Sequence, residues 1–295
     1  MTFIYHEPLN DRYLNPLPVE LHLLDSTCPE AKFIRLLSGT VDISHPIDDR
    51  VYKARTNYNK LPHSKNTKMS SKPIRECFDT YDVEKINNYL LDNNRHNRIY
   101  NESLLLESTH LITSRMRKDF LSSFVHLYRI IEFISYSFPL IHTSKSKNYF
   151  NSFDSLQKYF SNKGGELKFL NRFVSSIFEN KPESDLEAEF NIPGFNDTMR
   201  SDLYRSIKRI LDKKQSIIRY DESLYQFHVK YIDLIDLIVF IRNRYFHFTT
   251  GSGMKNFKSS ELIDPNLFFE IVIDNSFNWI SRIYFEILME NITNN

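Results

Sequence analysis

The stretch Val229-Lys230-Tyr231-Ile232-Asp233-Leu234-Ile235-Asp236-Leu237-Ile238-Val239-Phe240-Ile241 runs directly into Arg242-Asn243-Arg244-Tyr245-Phe246-His247. Its apolar residues recur at helical spacing, and Thr249-Thr250-Gly251-Ser252-Gly253 beyond it is a helix-stop signal. The pattern predicts one strongly apolar helix over 224–248 that delivers a guanidinium, an amide and an imidazole to its end. On such a helix Asn243 and His247 share a face, while Arg242 lies about 140° round from His247. With 10 His and 18 Arg in 295 residues, about two Arg-x(4–6)-His matches arise by chance. Arg242 to His247 is the only one present, so its weight comes from the apolar helix before it and the polar Asn243 within it.

Working outward, residues 119–138 place Phe120, Phe124, Leu127, Ile131 and Ile134 on one face of a second long helix, expected to stop at Pro139. Shorter helices are predicted at 152–162, 165–179 and 197–211. A last helix over 265–291 opens with Asp264 as its cap and Pro265 at the first helical position. Antiparallel bundling is the economical way to bury such stripes. The expected fold is therefore mainly α, with an all-helical domain over 106–295.

Seven of the eleven prolines fall at or before Pro73, which predicts a smaller N-terminal domain over 1–105 of mixed α/β or irregular structure. The runs 19–24, 33–37 and 41–43 read as short strands with turns, although at this length helix and strand share one pattern. Residues 57–75, polar and basic, read as a flexible loop or linker. Lys60, Lys65, Lys68, Lys72 and Arg75 there are either phosphate contacts or an ordinary solvated run.

A hydrophobic content of 41% supports a full core without staples. Cys28 and Cys77 form no C-x-x-C pair or zinc-spaced cluster, and no phosphate-cradling glycine loop occurs, so neither metal nor cofactor is expected. The N-terminal residues lack a secretory pattern, and no apolar run approaches the roughly 18 residues of a membrane span. A soluble, cytoplasmic protein without membrane contact is expected. A net charge of +1 confines any nucleic-acid contact to a local patch or an assembled groove.

With this motif and helix order, the C-terminal region resembles the HEPN superfamily, small all-helical domains found in ribonuclease toxins, CRISPR effectors and phage-defence proteins. Matched to that pattern, Arg242 is the motif arginine, Asn243 its polar follower and His247 the motif histidine, whereas Arg244 stands outside it. The resemblance implies an endoribonuclease acting on an RNA substrate as a homodimer, with two motif ends meeting in one cleft. It also implies a toxin or phage-defence setting, with a trigger or antitoxin partner that the N-terminal part would sense.

Metal-independent RNA cleavage needs a base for the 2′-hydroxyl, an acid for the leaving 5′-oxygen and positive charge on the phosphorane. His247 suits the proton transfers, Arg242 the phosphate, and Asn243 the orientation of either. Glu132, interrupting the apolar run 130–134, is a candidate partner for Arg242 or Arg244, or a plain polar-face residue. His228, Asp233 and Asp236 are off-face for a metal set and read as surface or capping residues. Tyr245, Phe246 and Phe248 either stack bases or pack, and Trp279 reads as core. Against catalysis, cations in a helix's last turn also stabilise the negative end of its dipole. A non-catalytic helical interaction or RNA-binding module is the alternative, and a nucleotide- or nucleotidyltransferase-associated binding subunit a third.

Overall fold

The computed structural model describes residues 3–24, 26–45, 47, 50–78, 82–144, 165–194, 196–211, 217–246, 257, 262 and 264–294. It is mainly helical with small sheets. The chain divides into two compact units, Met1–Lys118 with Leu140–Lys147 and Ile280–Asn295, and Asp119–Pro139 with Asn148–Trp279.

The first unit opens with the antiparallel sheet β1 (Ile4–His6), β2 (Val41–Ser44) and β3 (Val51–Ala54), in that order. Between β1 and β2 lie α1 (Asp11–Leu14), a 3-10 turn (Val19–Leu21) and α2 (Pro29–Leu37). The run 33–37 is thus helical, 19–24 begins with a 3-10 turn and has no strand, and of the three short runs only 41–43 lies in a strand. Arg35 fixes this region: its side chain is fully buried, and each of its five N–H groups has an acceptor. Nε donates to Thr40 Oγ1 (2.9 Å), Nη1 to Glu7 Oε2 (2.7 Å) and Leu21 O (2.8 Å), and Nη2 to Thr40 O (2.7 Å) and Glu7 Oε1. A buried charge with its whole donor fork satisfied escapes the desolvation penalty that an unpaired one carries.

Helix α2 ends in a Schellman motif. Gly39, at φ +69°, donates to Leu36 O (3.2 Å), and Thr40 donates to Arg35 O (3.0 Å). Residues 57–75 are more structured than a linker: β4 (Thr56–Asn57) pairs with β5 (Ser64–Lys65), α3 spans Lys72–Arg75, and Tyr58 and Ile74 are buried.

Helix α4 (Val83–Met116), capped by Asp82 accepting from Lys85 N (3.0 Å), packs along α2. It runs through 105/106, where the sequence predicted a domain border. Its first half is polar and asparagine-rich, so no apolar stripe announces it.

The second unit departs from the expected all-helical domain. Strands β6 (Glu187–Asn191), β7 (Ile217–Asp221) and β8 (Gln226–Lys230) form an antiparallel sheet in the order β6-β8-β7. The predicted helix over 224–248 is therefore corrected: near its start lies strand β8, then comes a 3-10 turn (Tyr231–Asp233), and among the described residues of that span only Leu234–Tyr245 is α-helical. The cause is the Asp221 carboxylate, which accepts from Ser223 N (3.0 Å), Ser223 Oγ (2.7 Å) and Leu224 N (3.1 Å) and turns the chain back, pairing β8 with β7.

Helix α5 (Phe120–Ser144) continues through Pro139 where a stop was predicted; Phe138 and Pro139 are buried, and packing overrides local propensity. Helices α6 (Gly165–Ile177) and α7 (Asp197–Leu211) follow the predicted spacing, while the predicted helix at 152–162 lies outside the described residues. Helix α8 is Leu234–Tyr245, and α9 (Pro265–Asn294) starts where expected, with Asp264 Oδ1 accepting from Asn266 N (2.8 Å). Trp279 is fully buried, 4.6 Å from Phe178 between ring centroids.

Candidate functional site

Helix α8 buries Leu234, Ile235, Leu237, Ile238 and Ile241, and this stripe sets where its last turn presents polar groups. Phe246 N donates to Arg242 O (2.9 Å) at the C-terminal cap. The Arg242 guanidinium lies 4.6 Å from the Tyr128 ring centroid, donates through Nη1 to Asn243 Oδ1 (3.0 Å), and sets Nη2 4.0 Å from Glu132 Oε1. Tyr128 and Glu132 are one turn apart on α5, so a ring and a carboxylate flank one guanidinium.

Glu132 lies beside Arg242 and is also a polar-face residue, so its place in the apolar run is described by both readings the sequence allowed. The pair is open to water, with side-chain exposures of 27% for Arg242 and 49% for Glu132, so it contributes at most about 1 kcal/mol to stability. Asn243, exposed, engages the arginine through its amide oxygen. Arg244 turns elsewhere: its guanidinium lies 5.3 Å from the Phe240 centroid, and its carbonyl accepts from Phe257 N (2.9 Å). His247 and Phe248 lie outside the described residues.

Tyr245 packs edge-on against Phe269 (5.0 Å), while Phe246 lies parallel to Phe124 (6.2 Å) and keeps 44% of its surface exposed. Sequence reasoning missed Tyr128; its signal was the i, i+4 relation to Glu132, which the apolar periodicity of α5 concealed. His228, on β8, is buried with Nδ1 3.3 Å from Arg219 Nη2 and 3.6 Å from Glu187 Oε2. The Asp236 carboxylate accepts from Asn171. Among the described residues no cluster of His, Cys, Asp or Glu is suited to a metal ion, and no helix is long and apolar enough to cross a membrane. In the basic segment, Lys60 and Lys72 pair with Glu76 at 2.9 and 3.5 Å. Cys28 and Cys77 are buried free thiols, and burial pushes Cys28 up to about 11.

The arrangement can hold an anion against a positioned arginine. No family model, no curated protein and no solved structure matches this chain.

Proposed function

We propose that this chain is a metal-independent endoribonuclease whose site is built on Arg242, Asn243 and His247. The observation that carries the reading is the Arg242 guanidinium, laid on Tyr128 and held at its edges by Asn243 and Glu132 at the end of an apolar helix. A guanidinium positioned in this way is pre-oriented for a phosphate, and little side-chain entropy is left to lose on binding.

In the proposed reaction the ribose 2′-oxygen attacks phosphorus as its proton passes to an imidazole, and the bond from phosphorus to the 5′-oxygen breaks as that oxygen takes a proton. His247 supplies the proton transfers, with a second copy of the chain contributing the other imidazole, and Arg242 bears the charge on the phosphorane. Products are a 2′,3′-cyclic phosphate and a 5′-hydroxyl, and DNA, lacking the nucleophile, is left intact. A toxin or phage-defence role under the control of a trigger or antitoxin belongs to the same proposal.

The test is cleavage of RNA by purified protein in EDTA. The parent is expected to cut, with His247→Ala and Arg242→Ala folded and each reduced by at least about a hundredfold. Alanine variants that cut as well as the parent would refute the site. The second reading, an RNA-binding module without catalysis, draws on the engagement of Arg242 by Glu132 and Tyr128; RNA bound at unchanged length by parent and His247→Ala alike would establish it.

A further inference from the structure

We infer that the first unit carries a separate binding site, a pocket for a small phosphorylated ligand with the chemistry of a nucleotide. The cavity is about 330 Å³ and is walled by β3, β4, β5 and the last turn of α4. That size falls within the range of small-ligand sites. Among its lining residues, Lys53, Arg55, Lys65 and Arg115 are cationic, and none is a carboxylate. All lie within residues 53–116, so the inference stands whether or not Arg242 serves an RNA substrate.

Arg55 is a built part of this wall. Its Nη1 donates to Val41 O (3.1 Å) and Ala54 O (2.9 Å), and its Nη2 pairs with the Asp42 carboxylate. Asp42 therefore offsets the charge of Arg55, and the exposed Lys53 and Lys65 line the same concavity. Like charges gathered around one cavity oppose each other, and an anion of charge −2 or more converts that cost into attraction. Tyr58, Ile112 and Met116 add an apolar wall beside the cations, the combination that a phosphate-bearing molecule with a flat apolar portion requires.

Ordinary explanations place these cations one at a time. Lys53 stands on the edge strand β3, where lysine discourages strand-to-strand association, and Arg115 sits in the last turn of α4, where cations meet the negative helix end. Lys65 stands on β5, an edge strand as well, and Arg55 is held by Asp42; what none of these explains is that the four cations line one cavity with no carboxylate among its lining residues.

The experiment is calorimetric titration of the full chain with ATP, inorganic pyrophosphate, adenosine and a single-stranded RNA oligonucleotide. ATP and pyrophosphate are expected to bind saturably, with adenosine at least about tenfold weaker. The doubly substituted Lys53→Glu/Lys65→Glu chain, altered at two exposed positions, should lose at least about tenfold in ATP affinity, while Arg242→Ala binds like the parent. Should the double variant fail to melt cooperatively, Lys65→Ala alone replaces it, with a loss of about threefold expected. No saturable binding of ATP or pyrophosphate up to about 1 mM overturns the inference. So does undiminished binding by the charge variants, or RNA binding more tightly than ATP through the same lysines, which would make this a nucleic-acid surface.

Discussion

Arg242 lies between a ring that holds it and a carboxylate that competes for it, so conservative changes around it are informative. If the chain is the ribonuclease proposed above, Arg242→Lys keeps the charge but loses the planar stacking on Tyr128 and the two-pronged grip proposed for phosphate, and RNA cleavage should fall by at least about tenfold. Glu132→Gln removes the competing charge, and RNA should bind about two- to fivefold more tightly, with the gain fading in high salt; unchanged affinity across salt concentrations would argue that Glu132 does not compete with the substrate. The sequence offered the Arg242–Glu132 pair as one of two readings of a carboxylate inside an apolar run, the other being the exposed polar-face position that Glu132 also occupies. Tyr128 was not legible, since an aromatic residue at helical spacing reads as core.

A second carboxylate behaves differently. Glu30 is buried, accepting from Tyr284 Oη (2.8 Å), Tyr89 Oη (3.1 Å) and the Asn93 amide, and burial raises it above its ordinary value of 4.5. The folded chain then holds this proton more tightly than the unfolded chain, so the associated stability is full below 4.5 and is lost as pH climbs toward the raised folded value. Glu30→Gln abolishes that titration. Its melting temperature relative to the parent should increase with pH from about 4.5 and then level off; a constant difference between the two melting curves across pH would show that Glu30 does not titrate this way.

At the scale of elements, the turn after α2 is the most exacting. A Cβ on Gly39 would stand 2.5 Å from Thr56 O, which is backbone and cannot step aside, and φ +69° is itself unfavourable for alanine. Gly39→Ala should destabilise the chain by at least about 2 kcal/mol, read as a lowered urea midpoint. Periodicity located α6, α7 and α9 because each carries a clear stripe or cap. It failed at β8, where Phe227, His228 and Val229 are all buried and a continuous apolar run fits strand and helix equally. It failed at α4 for the opposite reason, a polar first half with little stripe.

At the scale of the whole molecule, apolar periodicity identified a mainly helical chain, and proline placement suggested a change of character near the N-terminal third. It did not show that residues 280–295 belong with the first unit, because contacts distant in sequence leave no local pattern. A chain cut down to residues 106–295 would strip Tyr284 of Glu30 and of Phe33, whose ring lies 4.9 Å away. Such a fragment should be recovered mostly in inclusion bodies; a soluble, cooperatively melting fragment would show that residues 106–295 pack adequately without the N-terminal part.

The Glu30–Tyr284 hydrogen bond joins residues 254 positions apart. On a ribosome adding roughly 5–20 residues per second, the carboxylate waits on the order of tens of seconds for that hydroxyl to be made. The region around Glu30 is thus completed long after it is translated, and a nascent chain stalled before α9 would remain an unfinished substrate for chaperones and proteases.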